Sequence, residues 1–388
     1  MLAIAAFTGQ WPLGRLNQYN SYSLQAKAWL EGRLDLGTDY EWLELAIYQG
    51  KYYVSFPPFP SYLLLPFVAI FGVQTPDSML ALLVALIGIW HCCGLCRTMG
   101  LSTGSTVFWT LFLYLANGWL FISVNGYVWF IAQNLSWTLA MAALYHARKG
   151  RGTAALAAWA CSVGCRPMQA LYLPVLLVML YRTERQRDTV STPLLLVACR
   201  WYWALLPAAI GGSFMWLNMA RFGNPLEFGH NYLPEFTRIS TGQFHPSYFL
   251  PNLLRLVTLP SIQSADGRLS WPIVNGTAFY LVNPIFLTAA AVCACHMISP
   301  GPDRRDRVIG ILNTLLTLLY ICIICCHRTL GGWHFGNRYL LDVMPWIFWG
   351  MIRRKQAVKS AMYYTLPYFA FGAAVNFIGT VAAYNHWI

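Results

Sequence analysis

Long apolar runs recur along this 388-residue chain, and they restrict its fold more than any other feature. Each run has about 18 or more residues, the length that a helix needs to cross the hydrocarbon core of a bilayer. A transmembrane β-barrel would instead show short segments of alternating polarity. The sequence therefore predicts an all-α, polytopic integral membrane protein whose residues 1–388 form a single transmembrane domain. The predicted spans are 77–99, 104–123, 127–146, 194–218, 276–298, 307–326 and 360–383.

The composition agrees with this class. Hydrophobic residues make up 57% of the chain and charged residues 10%. An ordinary soluble domain has about 45–50% apolar and about 25% charged residues. The chain is therefore not an ordinary soluble domain.

The formal net charge of +12 comes mostly from short basic connections between the apolar runs. The positive-inside rule places such connections in the cytoplasm, so the topology explains the charge without a nucleic-acid partner. The same orientation sends 15–57, 219–272 and 327–338 to the outer face as loops. The basic connections lie at Arg97, 148–151, 182–187, 304–307 and 353–359.

Two apolar stretches do not fit simple crossings. The run 58–72 contains Pro66 and precedes a helix that must start outside, so we expect an outer-leaflet or re-entrant helix. The stretch 152–181 lies between two basic connections and must cross an even number of times. Its break at 164–167 predicts two short helices that meet near the outer face, with Arg166 at the bend.

The first outer loop combines local structure with an unusual concentration of acids. Tyr22–Leu34 has the pattern of an amphipathic interfacial helix, and Gly50 between aromatic and β-branched residues predicts a tight hairpin. Of the 14 acids in the chain, five fall between positions 31 and 44. Carboxylates at the mouth of a membrane protein indicate chemistry or ion handling more than folding. These acids are Glu31, Asp35, Asp39, Glu41 and Glu44.

The eleven cysteines lie within or at the ends of apolar runs. There a cysteine acts as a small hydrophobe that lets helices pack closely, and we expect packing rather than disulfides or zinc. The first apolar stretch, Met1 to Phe7, has no basic region before it and is too short to span. We expect either a truncated initial helix or an N-terminus that enters only the outer leaflet.

Three stretches together resemble bacterial members of the GT-C superfamily, in particular the PMT-like and Rgt-like membrane proteins. Tyr22 to Pro60 contains A-x-A-x-L-x-G-R-L-x-L, E-L-A-x-Y-x-G-K-Y-Y and F-P-P-x-P. Arg221 to Gly229 reads RFGNPLEFG, and Phe335 to Pro345 reads FGNRYLLDVMP. The resemblance spans most of the chain in order and hydropathy, although each motif alone is only moderately specific.

This resemblance implies a membrane glycosyltransferase that moves a sugar from a polyprenyl-phosphate donor to a cell-envelope or lipid-linked acceptor, with inversion. It implies a bacterial plasma membrane location and an active site on the outer face. In this superfamily an acid of the first outer loop deprotonates the acceptor hydroxyl, while arginine or a divalent cation stabilises the leaving phosphate. The sequence itself identifies no cofactor, and a divalent metal ion stays an open alternative.

The candidate site residues follow from these motifs. The family's usual acid corresponds to 17–20, which contains none, and Ser55 replaces a second acid. Glu44 is therefore the best candidate base, with Asp39 and Glu41 beside it. The candidates for donor phosphate binding are Arg338, Arg166 and Arg221. The candidates for substrate contact are Asn20, Tyr48, Lys51, Tyr52, Glu227 and His230.

Each assignment has a structural alternative. Glu44 could pair with Lys51 or Arg33 in water, and Arg338 lies one helical turn before Asp342, with which it could pair. An arginine at the end of an apolar run often reaches back to the interface, which would explain Arg166. For the whole chain, the alternatives are a lipid-linked glycan flippase or transporter and a catalytically silent protein of the same fold. The sugar, the acceptor and the oligomeric state are not identified.

Overall fold

The computed structural model describes residues 2–9, 17–187, 191–260, 271–298 and 304–388. Asp266 and the rest of 261–270, within the second predicted outer loop, lie outside the described residues, as do the first two residues, 15 and 16, of the first. The regular secondary structure of the described residues is almost entirely helical, and their one sheet is a two-stranded hairpin. The architecture is that of a polytopic integral membrane protein, as the apolar runs predict.

The elements of the first half lead from the predicted outer loop into the centre of the bundle. They are α1 (Leu2–Thr8), α2 (Ser21–Leu30), β1 (Leu45–Tyr48), β2 (Lys51–Val54), α3 (Phe59–Phe71), α4 (Asp77–Thr98), α5 (Thr103–Leu115), α6 (Trp119–Ile122), α7 (Val128–Arg148), α8 (Gly152–Val163) and α9 (Leu173–Gln186).

The second half adds two long peripheral helices and the helices that close the bundle. They are α10 (Pro193–Arg200), α11 (Leu205–Phe222), α12 (Pro234–Thr237), α13 (Phe249–Val257), α14 (Phe279–Val282), α15 (Ile285–Ile298), α16 (Arg304–Cys325), α17 (Met344–Ile352) and α18 (Lys355–Tyr384). Short 3₁₀ turns precede α9 and α17 at Pro167–Tyr172 and Tyr339–Val343.

Helix α7 is the centre of the bundle. Most of its side chains are buried, and α4 and α8 pack along its length. Its polar residues are satisfied by neighbouring helices, since Asn134 Nδ2 donates to the Ala81 carbonyl at 2.8 Å and Thr138 Oγ1 to the Val84 carbonyl at 3.0 Å. Such interhelical hydrogen bonds hold helices together where water is absent.

Four described helical segments are long and apolar enough to cross a bilayer by themselves. They are Asp77–Thr98, Pro193–Phe222, Arg307–Cys325 and Ala357–Tyr384. They confirm the predicted long helices at 77–99, 194–218, 307–326 and 360–383.

Two other predicted spans are interrupted. The run 104–123 breaks after Leu115, and 276–298 begins its long helix only at Ile285. The two breaks face each other, because the Gly118 amide donates to Asn283 Oδ1 at 2.9 Å. Pro284 then follows and cannot donate to a continuing helix. Hydropathy alone does not detect this polar contact between distant segments.

The local predictions for the first outer loop are largely confirmed. Strands β1 and β2 pair antiparallel, with Tyr48 opposite Lys51. The turn uses Gln49 at φ 50° and Gly50 at φ 73°, the positive values that tight hairpin turns favour. Helix α2 ends at Leu30, earlier than predicted, and buries one face against α3.

The predicted break between 152 and 181 is also present. Helix α8 ends at Val163, and the chain resumes as a 3₁₀ turn at Pro167. The Gly164 carbonyl accepts from the Phe59 amide at 3.0 Å, and a Cβ on Gly164 would lie 2.4 Å from the Phe214 ring. Glycine therefore lets α3 and α11 pack against the bend, which fixes the position of Arg166.

The ten cysteines whose side chains are described are all free. Cys92 and Cys96 are fully buried between α4 and its neighbours, as expected for packing residues.

Candidate active site

One cavity of about 510 Å³ gathers residues from segments far apart in the sequence. It lies where the hairpin, the start of α7, the bend after α8 and the end of α16 meet. Its charged or polar lining residues include Glu44, Arg166, Glu227, His230, Glu235, Tyr320, His327, Arg338 and Asp342. A volume of this size is typical of a small-molecule site.

Glu44 lies immediately before β1 and opens into this cavity. Its carboxylate oxygen Oε2 accepts a hydrogen bond from Trp129 Nε1 at 2.9 Å, and Ser55 Oγ donates to its carbonyl at 2.8 Å. The side chain therefore has a defined position although it stays exposed to the cavity. It does not pair with Lys51, whose ammonium lies 3.6 Å from Asp35.

The protein around Glu44 raises the pKa of its carboxyl above the ordinary value, chiefly through desolvation. The hydrogen bond from Trp129 and the positive charge of Arg338 oppose this change, whereas the Glu235 carboxylate adds to it. A carboxyl with a raised pKa is a stronger proton acceptor once it is ionised.

Arg166 and Asp342 form an ion pair in the cavity wall. Arg166 Nε donates to Asp342 Oδ2 at 2.7 Å. Two neutral groups also donate to Asp342, namely Gln133 Nε2 to Oδ1 at 2.7 Å and Tyr320 OH to Oδ2 at 2.9 Å. Asp342 is therefore fully engaged, and it holds the Arg166 guanidinium at the surface of the cavity.

Arg338 reaches the same cavity from the loop before α17. Its Nε donates to the Gly331 carbonyl at 2.7 Å, and its Nη2 donates to the same oxygen. Its Nη1 is buried and has no hydrogen-bond partner among the described residues. Desolvation lowers the pKa of this guanidinium to about 10, so it stays charged at neutral pH. A buried cationic donor without a partner is suited to an anion.

The backbone that carries Arg338 is held by two neighbours. Gln133 Nε2 donates to the Arg338 carbonyl at 2.7 Å, and the Asn275 amide donates to the Gly332 carbonyl at 3.0 Å. Gly276 packs so closely that a Cβ on it would lie 1.5 Å from the Gly336 carbonyl oxygen. The FGNR motif is therefore fixed by direct backbone contacts with the segment before α14.

Glu227 and His230 both line the cavity but have separate partners. The carboxylate of Glu227 accepts from the Gly229 amide and from Asn231 Nδ2, each at 2.6 Å. His230 Nδ1 lies 3.2 Å from the Ser55 carbonyl. Desolvation lowers the pKa of His230 to about 3, so its imidazole is neutral. The described residues contain no group of three side chains that could hold a metal ion.

The remaining candidates lie outside the cavity lining, and their assigned roles stay predictions. Asp39 and Glu41 are exposed on the segment before β1. Arg221 is buried, and its guanidinium donates to the Val54 carbonyl at 3.3 Å and to Asn218 Oδ1 at 2.9 Å.

Four predicted substrate contacts, whose roles also stay predictions, lie in the hairpin or close to it. Asn20 Nδ2 donates to the Val73 carbonyl at 3.4 Å. Tyr48 packs edge-on against Phe222 of α11 and at a tilt against Tyr232 in the following loop, and Tyr52 packs on the buried cluster that includes Tyr22 of α2. Lys51 pairs with Asp35, as described above.

Sequence reasoning did not identify several cavity residues. Trp129, Tyr320 and His327 lie in or beside apolar helices, where an aromatic or polar residue has no distinctive pattern. Asp342 was considered only as a partner of Arg338, yet it binds Arg166. Glu235 belongs to the predicted outer loop 219–272. Desolvation raises the pKa of its carboxyl, and the positive charge of Arg328 opposes this rise.

The fold is similar to that of two solved structures. They are ArnT from Cupriavidus metallidurans in the apo state, at a TM-score of 0.54, and the same protein bound to undecaprenyl phosphate, at 0.55. Both share 15% sequence identity with this chain and match over 100% of it, which corresponds to 75% and 76% of those chains. No family model and no curated protein matches the sequence. The chain therefore shares the overall fold of these two ArnT structures.

Proposed function

We propose that this protein transfers a sugar from a polyprenyl-phosphate donor to a hydroxyl of a cell-envelope or lipid-linked acceptor, with inversion at the anomeric carbon. The observation that carries the proposal is that one cavity is lined by both Glu44 and Arg338, whose buried Nη1 has no hydrogen-bond partner among the described residues. A proton acceptor and an anion-binding cation are the two groups that this reaction needs.

The reaction divides between these groups as follows. Glu44 removes the proton from the acceptor hydroxyl, whose oxygen attacks C1 of the sugar from the face opposite the phosphate. The bond between C1 and the phosphate oxygen breaks, and its electron pair leaves with the polyprenyl phosphate. Arg338 donates to the departing phosphate through Nη1, and Arg166 adds positive charge from the same wall. General base catalysis of this kind contributes about 10²–10⁴ in rate.

The comparison supports the choice of donor. One ArnT structure of similar fold is bound to undecaprenyl phosphate, a polyprenyl phosphate. We extend this to a bacterial plasma membrane location, with the cavity on the outer face and the basic connections in the cytoplasm. A divalent metal ion is not part of the proposed step.

The test compares binding and turnover with labelled polyprenyl-phosphate sugars. Glu44→Gln is expected to bind donor but to lose about 10²–10⁴ in transfer rate. Arg338→Ala is expected to weaken donor binding as well, because the phosphate loses a charged donor. Asp39 and Glu41 lie outside the cavity lining, so Asp39→Asn and Glu41→Gln serve as matched controls. Full transfer by both Glu44→Gln and Arg338→Ala would refute the site.

A catalytically silent donor-binding protein is the second candidate. Asn17 is one of the residues that replace the family's usual acid, and its Nδ2 donates to Asp77 Oδ2 at 2.8 Å. An amide cannot act as a base, and the Asn17 amide already donates its hydrogen bond to the buried carboxylate of Asp77. Donor binding without any turnover in the unmodified protein would favour this second function.

A further inference from the structure

A second cavity lies at the other end of α7. Helix α7 starts beside the first cavity at Trp129 and ends at Arg148, shortly before this basic cleft of about 430 Å³. At 1.5 Å per residue, the length of α7 separates the two cavities by about 30 Å. The cleft is lined by Gly150, Arg151, Gly152, Thr153, Ala154, Glu184, Arg187, Arg200, Tyr202 and Trp203.

The charges in this basic cleft do not cancel. Among the described lining residues, three arginines face one carboxylate, that of Glu184, whose side chain is only 3% exposed. Arg200 donates to Glu184 Oε2 through Nε at 3.0 Å and Nη2 at 2.8 Å, and Arg187 Nη1 lies 3.4 Å from Oε1. Glu184 therefore orients two of the arginines. The third, Arg151, has no side-chain partner among the described residues, so the lining has an excess of positive charge.

Close backbone contacts shape the basic cleft. A Cβ on Gly150 would lie 2.2 Å from Arg187 Nη1, and a Cβ on Gly152 would lie 2.0 Å from the Trp203 ring. Arg187 Nη2 also donates to the Lys149 carbonyl at 2.7 Å. These contacts fix Arg187 and Trp203 against the start of α8. The Arg187 guanidinium is thus held in place before any ligand arrives.

The amides at the start of α8 add to the positive potential. Thr153 and Ala154 lie in the first turn, where the backbone N–H groups have no intrahelical acceptor, and the N-cap residue Arg151 contributes no capping side chain. These groups join the arginines in the wall of the cleft. Arginine forks and free amides are the groups with which proteins bind phosphate oxygens.

The basic cleft opens beside a surface that faces lipid. Leu194, Val197 and Trp201 are exposed at 83%, 67% and 62% on the apolar segment that begins at Pro193. Trp201 and Tyr202 are residue types that concentrate where a bilayer meets water. A phosphate at the membrane interface would therefore have direct access to the arginines.

We propose that this basic cleft is a binding site for a phosphate group, supplied by the headgroup of an anionic phospholipid or by free inorganic phosphate. The site is separate from the proposed active site, and it does not depend on the proposed function. Bound phosphate would bridge Arg151 to Arg187 and Arg200, which Glu184 already orients. It would thereby join the α7–α8 connection to the α9–α10 segment.

The experiment measures binding to the purified full-length protein in a neutral detergent. One arm titrates inorganic phosphate, and the other titrates micelles containing phosphatidylglycerol, with zwitterionic phosphatidylcholine as the comparison without net charge. Binding in both arms supports a site for the phosphate group alone. Binding of phosphatidylglycerol only supports a lipid headgroup, and binding in neither arm overturns the proposal.

Two variants locate the binding. Arg151→Gln removes the arginine that has no partner and is expected to weaken binding about tenfold. Ala154→Glu places a carboxylate in the first turn of α8, where a negative charge stabilises a helix. The same carboxylate would occupy the phosphate position, so this variant should abolish binding. Arg97→Gln is the control, because Arg97 is exposed and lies outside the basic cleft. Equal binding by Arg151→Gln, Ala154→Glu and Arg97→Gln would overturn the proposal.

Discussion

Arg166 Nε lies 2.7 Å from Asp342 Oδ2, although 176 residues separate the two in the sequence. This ion pair joins the bend after α8 to the turn before α17, and both partners line the cavity that contains Glu44. Asp342 accepts hydrogen bonds from three side-chain donors, so both of its carboxylate oxygens have partners.

Asp342→Asn should destabilise the protein by about 1–3 kcal/mol, because the new amide N–H would face donors and leave Arg166 without its counter-charge. The decrease is measured as a lower thermal unfolding midpoint in detergent. Asp35→Asn is the control, since Asp35 pairs with the exposed Lys51 at 3.6 Å and such pairs contribute about 1 kcal/mol or less. Equal midpoints for the two variants would contradict this account of the ion pair.

The pH dependence of sugar transfer should report Glu44. As the pH falls through the raised pKa of this carboxyl, the base becomes protonated and the rate decreases. Trp129→Phe removes the hydrogen bond that favours the ionised form, so the acid limb of the rate profile should move to higher pH. Trp42→Phe is the control, because Trp42 Nε1 donates to the Gln18 carbonyl instead. If the acid limb of Trp129→Phe lies at the same pH as that of the unmodified protein, ionisation of Glu44 does not determine it.

Features encoded by neighbouring residues could be predicted from the sequence. The hairpin at Gly50, the bend at Arg166 and the long apolar helices each depend on a few adjacent residues or on a continuous run. The membrane class followed from the same information. These predictions succeeded because glycine, proline and hydrophobic length act locally.

The cavity could be predicted only in part, since its contacts join distant segments. Glu44 was identified, but its partner Trp129 is 85 residues away and lies in an apolar helix. Arg221 was selected as a phosphate ligand from its motif, yet its guanidinium is directed to Val54 and Asn218. A motif gives residue types in order, whereas tertiary packing decides which of them share a cavity.

Gly276 provides a direct test of how the FGNR motif is held. It has a φ of 65°, and a Cβ there would lie 1.5 Å from the Gly336 carbonyl oxygen. Gly242 has a similar φ of 61° but nothing within 4 Å of a Cβ. Gly242→Ala should therefore cost only the backbone strain of about 1–2 kcal/mol. Gly276→Ala should cost about 4 kcal/mol or more, because backbone must move.

The comparison of unfolding midpoints for the two glycine variants isolates the close contact, since the backbone strain is common to both. Gly276→Ala should also lose donor binding, because Arg338 lies two residues after Gly336. If the two variants unfold at the same midpoint, the segments do not approach as closely as described.

Acid should destabilise the folded protein through its buried histidines. Desolvation lowers the pKa of His230 to about 3 and of His327 to about 4, from an ordinary 6.5. Below pH 6.5 the unfolded chain binds protons that the folded chain does not, so stability decreases as the pH falls from 6.5 towards 4. Each histidine should contribute about 1–2 kcal/mol to this decrease, after allowance for partial solvent access.

His230→Phe keeps the ring contacts with Phe56 and Phe236 and should flatten the dependence of the unfolding midpoint on pH. His386→Phe, at an exposed position, is the control and should leave the slope unchanged. A slope in His230→Phe as steep as in the unmodified protein would mean that other groups cause the acid destabilisation.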